Sequence, residues 1–145
     1  MKTYDCINEN ETAGVARELA GSLRGGDVVA FFGGLGAGKT FFTSGACEAL
    51  GIREYVASPT FAICNDYGLA PSGIHVYHFD MYRVMSEDSL YSTGYYDYLN
   101  DDSILFIEWS ENISEFLPED CIRVDMEITG EHSRKITIEG GDGRW

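Results

Sequence analysis

Gly33, Gly36 and Gly38, followed at once by Lys39 and Thr40, give Gly33-Gly34-Leu35-Gly36-Ala37-Gly38-Lys39-Thr40 the spacing G-x-x-x-x-G-K-[ST]. Residues of these types in this order can hold a polyphosphate. Glycines lack a Cβ, so the backbone can curl until its N–H groups converge on phosphate oxygens, at the positive end of a following helix. Lys39 can then reach the β- and γ-phosphates as a mobile point charge, while the Thr40 hydroxyl is positioned to ligate Mg²⁺. The alternative is a glycine-rich turn in an unrelated α/β domain.

Three further residues are candidates for the same chemistry. Glu108 closes the apolar run Ile104-Leu105-Phe106-Ile107, the pattern of a Walker B strand whose terminal acid meets the metal; the alternative is an ordinary strand-end acid. Thr60, in Ser58-Pro59-Thr60-Phe61, could sense a γ-phosphate from an exposed loop, or merely start a strand. Asp80 ends the polar face of an extended segment and could orient water or hold Mg²⁺ through its shell, or instead pair with Arg83.

The flanking elements favour the phosphate reading. Val28-Val29-Ala30-Phe31-Phe32 reads as a strand buried on both faces. Residues 41–50 read as a helix, with Phe42, Ala46, Ala49 and Leu50 at helical spacing and Gly51 as its left-handed stop. An earlier helix starts at Asn8 or Asn10, carries Val15, Leu19 and Leu23 on one face, and ends at Gly25-Gly26.

Residues 61–67 and 74–82 predict an antiparallel hairpin around Gly68, Pro71, Ser72 and Gly73. On its second strand Val76, His78 and Asp80 share one face, and His75, Tyr77 and Phe79 the other. A helix starts at Ser86, a short one spans residues 111–116, and Ile122, Val124, Met126 and Ile128 alternate as a half-buried strand. A turn at residues 130–133 leads to a last strand through Ile136 and Ile138. Together these elements predict one α/β domain over residues 1–139, a P-loop NTPase-like three-layer sandwich with a mainly parallel central sheet plus antiparallel hairpin strands. Residues 140–145 read as a loose tail.

The chain has 145 residues, enough for one domain with a single core and no need of disulfide or metal staples. Its first residues carry no apolar leader, and no apolar run reaches the length of a membrane span, so a cytoplasmic location and no membrane association are expected. Cys6, Cys47, Cys64 and Cys121 are scattered without a C-x-x-C pair, and His75 and His78 face opposite ways in an extended segment, so neither feature predicts a zinc site. A formal charge of −14 repels a polyanion, disfavours autonomous nucleic-acid binding, and is compatible with a basic protein partner or with mere solubility.

Gly36-Ala37-Gly38-Lys39-Thr40, Ser58-Pro59-Thr60-Phe61, the block from Val76 to Arg83 and Ile107-Glu108-Trp109 occur in this order. In these motifs the chain resembles the TsaE family, formerly called YjeE, small P-loop ATPases of bacterial tRNA threonylcarbamoyladenosine synthesis. The resemblance implies a weak, Mg²⁺-dependent ATPase, with ATP and Mg²⁺ as its cofactors. It would act with TsaB- and TsaD-type partners, and touch tRNA only through that complex, without performing the transfer itself. It assigns phosphate and Mg²⁺ to Lys39 and Thr40, Mg²⁺ to Glu108, and hydrolysis or coupling to Asp80, Thr60 and Trp109, and the glycine loop itself sets nucleotide contact at Gly33, Gly34, Leu35, Gly36, Ala37, Gly38, Lys39, Thr40 and Phe41, with Trp109 beside it. Arg134 resembles the family's nucleotide-contacting arginine, and Glu11 and Thr12 lie where the family approaches adenine. Two positions depart from the family pattern: Gly34 stands where Asp is common, and Phe41 replaces a frequent second Thr. A small-molecule P-loop kinase is the main alternative, though few arginines and no evident lid support it; a GTPase lacks its N-K-x-D segment here, and self-association stays open.

Overall fold

The computed structural model describes residues 1–59 and 63–145, so Thr60 and Phe61 lie outside the described residues. Seven strands form one sheet in the order β1-β7-β6-β2-β5-β4-β3. These are β1 (Lys2–Cys6), β2 (Val28–Phe32), β3 (Cys64–Leu69), β4 (His75–Asp80), β5 (Ser103–Glu108), β6 (Ile122–Ile128) and β7 (Arg134–Gly140). The four inner strands β6, β2, β5 and β4 run parallel, and the outer pairings β1–β7, β7–β6 and β3–β4 are antiparallel.

Every residue of β2 and β5 is buried, as expected of central strands covered on both faces. One face packs on α1 (Glu9–Ser22) and α2 (Lys39–Ala49) through Leu19, Phe31, Phe42, Ala46 and Phe106. The other packs on α3 (Glu87–Tyr91), α4 (Tyr95–Tyr98) and the 3-10 segment Ser110–Phe116 through Phe79, Met81, Leu90, Tyr95 and Ile113. This is the expected three-layer arrangement. Because β2, β4 and β5 are parallel, their carboxyl ends bring Phe32, Asp80 and Glu108 to the same edge of the sheet, where ligands of open α/β sheets bind.

Local sequence sets the helix starts. The Asn8 side chain accepts from the Glu11 N–H at 2.9 Å and caps α1. Ser86 caps α3 within a capping box completed by Ser89. At α2 the cap is Gly38, whose left-handed φ of 100° turns the glycine loop into the helix and makes Lys39 and Thr40 its first residues, two earlier than the apolar periodicity indicates.

Three features differ from expectation. Lys2–Cys6 is a strand although only Cys6 in it is buried, because it pairs with β7 over Lys2↔Ile138 to Cys6↔Arg134. Gly68 belongs to β3, at a register shift between Asp66 and Leu69, and does not serve as a hairpin turn. Residues 140–145, read from sequence as loose, make specific contacts: Arg144 forms an ion pair with Asp27 and donates to the Ser22 carbonyl at 2.7 Å, while Trp145 Nε1 donates to Ser22 Oγ at 3.2 Å. A buried carboxylate at the start of β2 supplies the partner that composition alone did not reveal. Among the described residues, no helix is long and apolar enough to cross a membrane.

Candidate functional site

A cleft of ≈ 590 Å³ opens at the carboxyl edge of the parallel strands, floored by the glycine loop and walled by Ser58, Asp80, Glu108, Tyr82 and Trp109. The loop's conformation is enforced at two points. Gly33 has φ 147°, and a Cβ there would meet the Met126 carbonyl oxygen at 2.5 Å, so only glycine fits between the loop and β6. Further along the loop Arg134 donates from Nε to the Ala37 carbonyl at 2.9 Å and from Nη2 to the Gly36 carbonyl at 3.4 Å, and it also donates to the carbonyls of Gly130 and Ser133. With no cis peptide present, each carbonyl is antiparallel to the next N–H, so binding these carbonyls turns the Ala37 and Gly38 amides away from Arg134. Gly34 differs from Gly33: its position is open, and its φ is not in the left-handed region.

Lys39 is 6% exposed. Its Nζ donates to the Gly33 carbonyl at 3.0 Å and lies 4.8 Å from the centroid of the Trp109 ring. Trp109 reaches this place because it leaves β5 with φ 58°, a left-handed conformation unusual for so large a residue, and its indole packs on Tyr82 at 4.8 Å. The Lys39 ammonium on the cleft floor is thus held by a carbonyl and an aromatic face, both weaker partners than a phosphate oxygen.

Thr40 Oγ1 donates to the Glu108 carboxylate, 3.2 Å from Oε1 and 3.0 Å from Oε2. Glu108 is also bonded by His78 Nε2 at 2.6 Å, and both side chains are buried. Asp80 accepts from Ser58 Oγ at 3.2 Å and from the Tyr82 N–H at 2.9 Å. One hydroxyl and one carboxylate, both hard oxygen donors, are what a Mg²⁺ ion takes from a protein when phosphate oxygens and water complete its shell. Among the described residues, no group of three or more His, Cys, Asp or Glu is arranged to hold a metal ion by itself.

A second cavity of ≈ 240 Å³ adjoins the loop and is lined by Glu9, Thr12, Ala37, Phe41, His132 and Arg134. Of the residues expected near a base, Thr12 and Arg134 line it; Glu11 is exposed and does not. Leu35 is 86% exposed at the loop tip, and Phe41 stands between the two cavities. Ser58, Tyr82, Glu9 and His132 were not singled out from sequence as site residues. Their membership depends on chain segments meeting in space, as in the 3.3 Å contact of His132 Nδ1 with Glu9 Oε1 across 123 positions. His78 could have been weighed from its alternation with Asp80 on one face of β4, but its partner could not.

The architecture and the site define an α/β protein whose glycine-rich loop joins a central parallel strand to the next helix, with a hydroxyl and a strand-end carboxylate bonded beside it. The chain belongs to the TsaE family: the profile described as "Threonylcarbamoyl adenosine biosynthesis protein TsaE" matches residues 6–136. Its family role is in tRNA threonylcarbamoyladenosine biosynthesis. The tRNA threonylcarbamoyladenosine biosynthesis protein TsaE of Bacillus subtilis (strain 168) is 36% identical over 141 residues, covering 96% of this chain and 85% of that protein. The TsaE protein of Rickettsia felis is 39% identical over 132 residues, covering 90% and 75%. The crystal structure of YdiB from Bacillus subtilis superposes with a TM-score of 0.78 at 31% identity, covering 96% of this chain and 84% of that one.

Proposed function

We propose that this chain binds and hydrolyses ATP with Mg²⁺ in the cytoplasm, and that its turnover serves threonylcarbamoyladenosine formation on tRNA by changing the state of a complex with TsaB- and TsaD-type proteins. The observation that carries this reading is the bond between Thr40 and Glu108 beside the glycine loop, since the two side chains come from distant parts of the sequence and together offer a Mg²⁺·phosphate site.

In the proposed reaction Lys39 exchanges the Gly33 carbonyl and the Trp109 face for the β- and γ-phosphates, and the loop amides bind the remaining phosphate oxygens. Thr40 and Glu108 would hold Mg²⁺, which when bound neutralises charge developing on the phosphates. Asp80, steadied by Ser58, accepts a proton from the attacking water as its oxygen bonds to the γ-phosphorus and the bond to the β–γ bridging oxygen breaks. An arginine inserted by a partner supplies about 10³ to 10⁵ in rate in related phosphoryl transfers, so turnover by the isolated chain is slow.

The test is phosphate release by the chain alone and with TsaB- and TsaD-type proteins, beside a screen of small phosphate acceptors. Slow release that rises with the partners supports the proposal; γ-phosphate transferred to a small acceptor instead would identify a kinase.

A further inference from the structure

Beneath the Thr40–Glu108 pair lies a polar chain that the proposed hydrolysis does not use. His78 is fully buried in β4, and its two ring nitrogens are both engaged: Nε2 is 2.6 Å from Glu108 Oε2, and Nδ1 is 2.8 Å from the Tyr67 hydroxyl. With the Glu108 carboxylate as acceptor, Nε2–H donates to it, and Nδ1 shares a hydrogen bond with the Tyr67 hydroxyl, which can accept from or donate to the ring. The same hydroxyl lies 3.3 Å from the Ala57 carbonyl. That carbonyl also accepts from Asn65 Nδ2 at 3.0 Å. Ser58, next in the chain, donates to Asp80.

We propose that Tyr67 and His78 are positioning residues that fix the Glu108 carboxylate for Mg²⁺ and register it to the loop segment Ala57-Ser58, which also steadies Asp80. The inference rests on the Mg²⁺·nucleotide reading given above. A glutamate has three side-chain torsions, and Thr40 alone leaves the carboxylate free to swing about that hydroxyl. The buried imidazole, held in place by Tyr67, removes the freedom, in the way that outer partners orient metal-binding side chains elsewhere and change affinity by about 10- to 100-fold when lost. Coupling to the loop follows from Tyr67 and Asn65, which belong to β3 and both reach Ala57.

The test is the Mg²⁺ midpoint for binding of a fluorescent ADP analogue, measured for the wild-type chain, His78→Leu, His78→Gln and Tyr67→Phe, with analogue affinity without Mg²⁺ as the reference. His78→Leu removes the donor and should raise the midpoint about tenfold. His78→Gln, whose amide can still donate to Glu108, should recover most of the loss. Tyr67→Phe is nearly isosteric, removes a partner of His78 and not of Glu108 itself, and should raise the midpoint by less than the about tenfold of His78→Leu but above the wild-type value; it decides the matter if His78→Leu does not fold. Affinity without Mg²⁺ should stay at the wild-type value throughout, which general loosening of the fold would not produce. Wild-type midpoints in both His78→Leu and Tyr67→Phe would overturn the relay alone. A wild-type chain that binds no nucleotide would overturn the nucleotide reading and the relay with it.

Discussion

Asp80 and Glu108 sit on one rung of the β4–β5 ladder, side by side at the carboxyl edge of the sheet, yet their carboxylates answer to different partners. Glu108 is bonded to Thr40 and His78, Asp80 to Ser58 and the Tyr82 amide. Adjacent position comes with separate hydrogen bonding: one acid is bonded to Thr40 at the start of α2, the other to Ser58 in the segment before Thr60, and under the proposed function the two have different roles. Glu108→Ala should therefore raise the Mg²⁺ midpoint of nucleotide binding by about tenfold. Asp80→Asn should leave that midpoint nearly unchanged and lower turnover by about 10² to 10⁴, the range for loss of a positioned base. Parallel binding and single-turnover measurements on both variants separate the roles.

Gly33 and Gly34 are neighbours with opposite tolerance. A Cβ at Gly33 collides with the Met126 carbonyl, and its φ is left-handed, so Gly33→Ala should lower stability by about 1–3 kcal/mol. Nothing lies within 4 Å of a Cβ at Gly34, so Gly34→Asp should fold with a stability change within about 0.5 kcal/mol. The added carboxylate beside the phosphate positions should weaken nucleotide retention. Thermal melts and nucleotide off-rates check the two halves.

The chain end contributes to stability through a small buried network. Asp27 is 8% exposed and accepts from the Arg24 amide at 2.8 Å as well as from Arg144, and hydrogen bonding to Asp27 pushes the Arg144 guanidinium further above its already high range. Removing Arg144 leaves that carboxylate without its cation. Arg144→Ala should cost about 2–3 kcal/mol in urea unfolding, and Arg144→Lys should recover only part, since an ammonium cannot reproduce the two-nitrogen contact.

Alkaline pH should weaken the fold in a defined window. Burial pushes the Cys47 thiol up to about 12, and burial followed by the nearby Asp66 charge does the same for Cys64. Below about pH 9 both folded and unfolded chains keep these protons, and stability is unaffected. From about 9 to 12 the unfolded chain releases protons that the folded chain retains, so stability falls as pH rises, by up to about 1.4 kcal/mol per pH unit per thiol. Urea midpoints at pH 8 to 11 should show this decline, and Cys47→Ala, less stable at pH 8 through its lost packing, should show a shallower one.

The glycine loop, β2, α2 and β5 are legible in the sequence because each is locally specified: unbroken apolar runs, a helical period, and glycines where the backbone turns left-handed. The last hairpin is legible for a similar reason, since Ile122, Val124 and Met126 alternate and find Ile136 and Ile138 doing likewise. Lys2–Cys6 is opaque because its strand character comes from β7 and not from its own side chains. The Glu108–His78 bond and the grip of Arg134 on Gly36 and Ala37 are opaque for another reason: they join residues 30 and about 100 positions apart, and polar pairing at such range leaves no period to read. Thr60, read from its loop as a γ-phosphate sensor and assigned by resemblance to hydrolysis or coupling, stands outside the described residues.

The central claim is that residues 33–40 bind a triphosphate with Mg²⁺ despite a chain charge of −14. Isothermal titration calorimetry of the wild-type chain and Lys39→Ala with Mg²⁺·ATP tests it most directly. The account predicts a saturable single-site heat for the wild-type chain and none for Lys39→Ala at the same concentrations. A folded wild-type chain that gives no heat with Mg²⁺·ATP, or a Lys39→Ala variant that binds as tightly as wild type, would contradict it.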